Sequence, residues 1–97
     1  ADAVKAPMMR MAARYLMTAK RGNGTARDPV AHFHLSNGAR MERLNWLGDP
    51  SPNGLRQSRG MMINYLYKLS EIDENHEAYS DGGRVAASSA MRALART

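Results

Sequence analysis

Asn37-Gly38, set between His32-Phe33-His34-Leu35 and Met41-Glu42-Arg43-Leu44, constrains the fold of this chain more than any other pair of residues. A two-residue type I′ turn needs positive φ at both central positions, which Asn and Gly tolerate most easily. The pair predicts a β-hairpin over 30–47, with strands at 30–36 and 39–47. In that register Ser36 pairs with Ala39, His34 with Met41 and His32 with Arg43. His34 then sits on a twisted ribbon two residues before the turn, where a rigid strand suits a working imidazole.

A chain of 97 residues holds one small domain. Its net charge of +5 fits a phosphate-bearing ligand or nucleic acid, and equally an ordinary domain kept in solution by its charge. There is no cysteine, which excludes a disulfide framework, a thiolate zinc site and a catalytic thiol, and suits a reducing compartment. No apolar run approaches membrane-spanning length, so no membrane partner is expected. Residues 1–20 are amphipathic and carry Arg throughout, unlike a secretory leader. The opening Ala1-Asp2 suggests the tail of something longer. The closing Ala95-Arg96-Thr97 is not a peroxisomal Ser-Lys-Leu address, and a cytoplasmic location of bacterial type is the expectation.

Periodicity fills in the other elements. A helix is expected over 7–20, opening at Pro7, with Met8, Met11, Ala12, Tyr15, Leu16 and Ala19 on its apolar face. Gly22-Asn23-Gly24 stops it, and Asp28-Pro29 leads into the hairpin. The turn-rich Gly48-Asp49-Pro50-Ser51-Pro52-Asn53-Gly54 reads as a shaped loop. A helix is expected over 57–70, with Met61, Met62, Tyr65, Leu66 and Leu69 on one arc. Gln57, Gly60, Asn64, Tyr67 and Lys68 take the opposite arc, which makes Asn64 and Tyr67 neighbours. Residues 71–81 hold Glu71, Asp73, Glu74, Glu77 and Asp81 with no Lys or Arg, the composition of a solvated acidic linker. An Ala-rich helix over 84–96 closes the chain. The expected class is α+β, a β-hairpin flanked by three helices.

His32 and His34 share one face of the expected strand, which is a start toward a metal site. Zinc needs a third and usually a fourth protein ligand. The remaining histidine, His76, falls in the acidic linker, so no metal is expected. A histidine that packs and hydrogen-bonds within the sheet is the plain alternative. Arg40, Arg43, Arg56 and Arg59 could line a nucleic-acid groove, but aromatics among them are sparse and no recognised motif appears. Gly22-Asn23-Gly24 lacks the Lys-Ser/Thr continuation of a phosphate loop. Tyr67, off the apolar arc, is either an amphipathic ring half in water or part of a site.

The string Phe33-His34-Leu35-x-Asn37-Gly38-Ala39 is followed by Arg43-x-Asn45-Trp46-x-x-Asp49-x-Ser51-x-x-Gly54. Ser58-x-Gly60-x-Met62-x-Asn64-Tyr65-x-Tyr67 comes after it. Together they resemble the C-terminal end of the malonyl-CoA decarboxylase family, ungapped from Asp28 to about Tyr67. Arg14-Tyr15-Leu16 and Lys20 are similar to the helix leading into this motif, and the last part of the chain is alike only in being helical. The resemblance implies a carboxy-lyase that converts malonyl-CoA to acetyl-CoA and CO2. It further implies the C-terminal portion of a GNAT-like (acyl-CoA N-acyltransferase) catalytic domain, joined in the whole protein to an N-terminal helical domain and forming a homo-oligomer. It places the catalytic histidine on His34 and an active-site tyrosine on Tyr67. The family's serine and its pyrophosphate-cradling loop lie upstream, so no serine here takes that role.

The implied chemistry suits those residues. Loss of CO2 from a malonyl thioester leaves an enolate on the thioester itself, so no cofactor is required, CoA being part of the substrate. An imidazole titrating near neutrality can return a proton to Cα. His34 is expected as that donor. Tyr67 and Asn64 would organise the acyl pocket, and Arg56 and Arg59 would meet CoA phosphates. A segment without the upstream serine would be inactive by itself. The alternative reading is a non-catalytic acyl-CoA-binding or structural remnant, and a small RNA-binding domain would betray itself by steep salt dependence.

Overall fold

Asp28-Pro29 opens a helix, not a strand. In the computed structural model, which describes residues 2–47 and 61–96, the Asp28 carboxylate accepts the Ala31 N–H at 2.9 Å. Pro29 takes the first helical turn. The carboxylate satisfies an N–H that has no partner within the helix, and proline has no N–H to lose there. The chain runs α1 (Asp2–Thr18), α2 (Pro29–Ser36), β1 (Arg40–Trp46), β2 (Met61–Leu66), α3 (Ile72–Gly82) and α4 (Ser89–Arg96). The α+β class holds, with four helices around a two-stranded antiparallel sheet.

The hairpin expected over 30–47 does not form. Gly38 has φ +88°, but Asn37 stays at φ −91°, and a type I′ turn needs both positive. The pair ends α2 instead. The Gly38 N–H donates to the Leu35 carbonyl and the Ala39 N–H to the His34 carbonyl, each at 3.1 Å. These are the two bonds of a Schellman stop, which demands a left-handed glycine where a hairpin turn would also want one. The pairings of Ser36 with Ala39, His34 with Met41 and His32 with Arg43 are therefore replaced. A side chain at residue 38 would also run into the Ile72 backbone carbonyl.

The antiparallel partner of β1 is β2. Met41 lies opposite Tyr65, Leu44 opposite Ile63 and Trp46 opposite Met61, with a register irregularity between Met41 and Arg43. Alternation alone would send Met41 and Leu44 to opposite faces. The irregularity lets both turn inward, and both are buried. β2 stands where a helix was expected over 57–70. Its burial alternates, with Met61, Ile63 and Tyr65 less exposed than Met62, Asn64 and Leu66. Periodicity over so short an apolar run does not separate strand from helix. Residues 57–60 of that expected helix, and the loop 48–54, lie outside the described residues.

The expected acidic linker over 71–81 is α3. Asp73 and Glu74 occupy its first turn, where carboxylates complement the positive end of the helix dipole. Gly83, at φ +66°, ends it. The helix expected over 84–96 starts only at Ser89. The preceding residues run beside β1, where the Met41 N–H donates to the Ala86 carbonyl at 2.9 Å and the Ser88 N–H to the Met41 carbonyl at 2.8 Å. Ser88 then caps α4 by accepting the Met91 N–H at 3.2 Å. The first helix likewise differs from the expected 7–20. It starts at Asp2 and holds Pro7 inside, where the carbonyl deprived of a donor is that of exposed Ala3. Its buried stripe is Ala13 with Met9, Ala12, Leu16 and Met17, whereas Met11 and Tyr15 face outward.

Leu35, Met41 and Met91 are the largest fully buried side chains. Around them Ala13, Leu44, Tyr79 and Val85 complete one core between the sheet and the helices. α2 packs on α3, while α1 and α4 pack on each other and on β1.

Candidate active site

Residues two apart on a helix project about 200° from each other. α2 therefore sends its two histidines to opposite sides, not to one strand face as alternation suggested. His32 turns to α3, where its Nδ1 lies 2.7 Å from the Tyr79 hydroxyl. That hydroxyl also accepts the Ala26 N–H at 2.8 Å. The Tyr79 oxygen thus joins the Ala26 N–H and His32 Nδ1, the imidazole tautomer setting which of ring and phenol donates. Tyr79 is 2% exposed and Ala26 1%. His32 is thus a structural anchor tying α2 to α3. His76, the third histidine, donates from Nδ1 to the Ser36 carbonyl at 2.6 Å, closing the C-terminal end of α2.

His34 turns the other way, toward the end of β2. Its Nδ1 lies 2.7 Å from the Tyr67 hydroxyl, with the ring centroids 5.8 Å apart at 62°. Whichever atom donates, the bond engages Nδ1 and leaves Nε2 without a protein partner among the described residues. The Tyr65 ring is stacked on the same imidazole, centroids 4.1 Å apart and planes 18° from parallel. Phe33 stands edge-on at 5.2 Å and 80°. The His34 imidazole is half-buried and Tyr67 is exposed, so the pair opens to the surface.

The strand explains why two tyrosines reach one histidine. Tyr65 and Tyr67 are two residues apart, and an extended backbone points such residues to one side. Tyr65 is the member that sequence reading missed. Taken as a core residue of a helix, it is instead half core and half site, and the Tyr-x-Tyr spacing is the signal that a strand reading would have used. Burial pushes its phenol above the ordinary tyrosine range, with Asp28 and the Tyr67 phenol adding to the effect. Its hydroxyl is buried and has no hydrogen-bond partner among the described residues.

The expected adjacency of Asn64 and Tyr67 fails with the helix that produced it. Asn64 points to the opposite face of β2 and takes a hydrogen bond from the Asn45 amide. Asn45 also donates to the Met62 carbonyl at 3.2 Å, so the two asparagines lace the strands on the face away from the core. Arg56 and Arg59 lie outside the described residues. A broad apolar depression lined by Met9, Leu44, Met91 and Leu94 does not reach His34. Among the described residues, no three His, Asp or Glu stand close enough to share a metal ion, and no helix is long and apolar enough to cross a membrane.

The site is one imidazole, held at Nδ1 by a phenol and stacked on a second, on a motif that combines Phe33-His34-Leu35 with Asn64-Tyr65-x-Tyr67. The family model of the malonyl-CoA decarboxylase C-terminal domain matches residues 1–97. The chain belongs to the malonyl-CoA decarboxylase family. The mitochondrial malonyl-CoA decarboxylase of Rattus norvegicus is 44% identical over 94 residues, covering 97% of this chain and 19% of the rat protein. That of Anser anser anser is 49% identical over 77 residues, covering 79% of this chain and 15% of the goose protein.

The crystal structure of malonyl-CoA decarboxylase from Rhodopseudomonas palustris is similar with a TM-score of 0.85 at 56% identity, covering 96% of this chain and 21% of that one. The Agrobacterium vitis malonyl-CoA decarboxylase gives 0.85 at 53%, covering 97% and 23%. The chain thus spans about a fifth of the length of the malonyl-CoA decarboxylases it matches. The expectation of a cytoplasmic location is overturned. The curated relatives from rat, mouse and goose are mitochondrial malonyl-CoA decarboxylases, and the bacterial enzymes stand beside them as structural neighbours.

Proposed function

We propose that this chain supplies the proton donor of a malonyl-CoA decarboxylase, acting within the C-terminal part of a GNAT-like catalytic domain. The observation that carries the reading is the bond between His34 Nδ1 and the Tyr67 hydroxyl. It holds the imidazole by one nitrogen and leaves Nε2 to face a ligand. The remainder of the protein contributes the serine and the cradle for the CoA pyrophosphate, which complete the site around malonyl-CoA.

The chemistry follows from that arrangement. The bond between Cα and the carboxylate breaks, CO2 departs, and its electron pair moves onto Cα and into the thioester as an enolate. The thioester serves as its own electron acceptor. With Nδ1–H donating to the Tyr67 oxygen, the His34 imidazolium passes its Nε2 proton to Cα. That step forms the C–H bond of acetyl-CoA and leaves a neutral imidazole, which recovers its proton from solvent. The other proton stays on Nδ1, donated to the Tyr67 oxygen throughout, so one tautomer serves the whole cycle. A general acid so placed contributes about 10²–10⁴-fold to the rate.

The test is His34→Gln in the complete enzyme, with CO2 release from malonyl-CoA and malonyl-CoA affinity both measured. The expected result is loss of turnover with affinity largely kept. Retention of more than about a tenth of the rate is less than a general acid's share and would remove His34 from this role.

A further inference from the structure

Tyr65 carries a hydroxyl that no described residue uses. Burying it without a partner costs stability that a phenylalanine would avoid, and burial raises its pKa above the ordinary range. The ring, by contrast, has a defined task. It lies parallel to His34 at 4.1 Å and 18°, on a backbone fixed by its pairing with Met41 of β1. The hydrogen bond to Tyr67 holds only one atom of the imidazole. On its own it leaves rotation about Cα–Cβ free to trade against rotation about Cβ–Cγ while Nδ1 stays within reach of the phenol, and Nε2 would sweep an arc. A face-to-face contact removes that rotation. Phe33 touches the imidazole edge-on, from its own helix. The phenols of Tyr65 and Tyr67 are the titratable groups in contact with the ring among the described residues, and the Asp28 charge acts in turn on Tyr65.

We propose that Tyr65 is the positioning residue of His34. Its ring face sets the plane of the imidazole and so aims Nε2, while its hydroxyl is dispensable for that task. The proposal rests on the reading of His34 as proton donor. It assigns Tyr65 no contact with the reacting atoms.

The experiment compares Tyr65→Phe with Tyr65→Leu in the complete enzyme. Tyr65→Phe keeps the platform and is expected to hold kcat within about twofold. Tyr65→Leu keeps apolar bulk but loses the flat face. A misaimed acid of this kind costs on the order of 10²-fold in kcat, with KM little changed because Tyr65 is assigned no contact with malonyl-CoA. A second readout does not depend on turnover. In enzyme labelled with 13C at histidine Cε1, the His34 signal, assigned by its disappearance in His34→Gln, carries the upfield ring-current shift of a stacked aromatic. That shift survives in Tyr65→Phe and vanishes in Tyr65→Leu.

Two results overturn the proposal. One is a folded Tyr65→Leu enzyme with unchanged kcat after the ring-current shift has gone. The other is an equal fall in both variants, which would make the hydroxyl the working group. If Tyr65→Leu fails to fold, Tyr65→Met carries the same comparison, since its flexible chain refills an irregular gap. If His34→Gln is itself active, the donor reading fails by that result alone, while the ring-current comparison still decides whether Tyr65 fixes the imidazole.

Discussion

Replacing Gly38 by alanine tests the joint on which the site is built. Gly38 has φ +88°, and a Cβ there would meet the Ile72 backbone carbonyl, which no side-chain rotation can move aside. Holding an L-residue in the left-handed region costs about 1–2 kcal/mol. Relief of the clash requires α3 to shift from the end of α2. That shift strains two bonds across the joint, from Asn75 Nδ2 to the Gly38 carbonyl at 3.1 Å and from His76 Nδ1 to the Ser36 carbonyl at 2.6 Å. Each is worth about 0.5–1.5 kcal/mol. The total is about 2–5 kcal/mol, whose midpoint raises local opening by roughly two and a half orders of magnitude at 1.4 kcal/mol per tenfold. Gly24 is the matched control, because it has φ +86° with nothing within 4 Å of a built Cβ. Gly24→Ala should cost only the left-handed penalty, about 1–2 kcal/mol. The assay is hydrogen–deuterium exchange in the complete enzyme, read on peptides spanning residues 31–41 and 20–27. Equal effects of the two substitutions would refute the reasoning, since an open hairpin turn at Asn37-Gly38 would carry no clash.

Tyr79→Phe leaves the buried Ala26 N–H without its acceptor and His32 Nδ1 without its partner; a cost of about 1–3 kcal/mol should appear as faster exchange at Ala26 and in α2, measured by the same method. Asp28→Ala removes the cap on Ala31 and should cost about 0.5–2 kcal/mol, read as fraying of α2 with little change in α3. The raised pKa of Tyr65 has a defined sign: the folded state keeps the phenol neutral where the unfolded chain ionises it. That share of stability is complete below about pH 10 and falls as the pH rises further. An alkaline unfolding series should show this loss in the native protein and a smaller one in Tyr65→Phe.

The residues of the candidate site were easier to pick out than the fold that brings them together. The family motif led to His34 and Tyr67, which the structure joins through one hydrogen bond. The local elements around them were misread for identifiable reasons. Asn37-Gly38 satisfies a helix stop as well as a hairpin turn, because both need a left-handed glycine. The discriminating signal was Asp28-Pro29, a helix opening that precedes it at the spacing of a short helix. Met61–Leu66 carries an apolar run that suits either period, and only its pairing with β1 decides the matter. Four of the five acids of 71–81 look solvated because they are, while Glu71 pairs with Arg40. The same residues nevertheless form α3, since acids favour the first turn of a helix and Tyr79 buries its inner face. The misread helix set Asn64 beside Tyr67, whereas the strand sends Asn64 to Asn45 and stacks Tyr65 on His34.

Exchange of the acetyl-CoA methyl protons with deuterated solvent reads proton transfer at Cα without the decarboxylation step. By microscopic reversibility, the imidazole that protonates the enolate must also remove a proton from acetyl-CoA. The complete enzyme should wash deuterium into the methyl group, and His34→Gln should lose that exchange along with CO2 release. Deuterium incorporation by His34→Gln at the native rate would contradict the assignment of the donor.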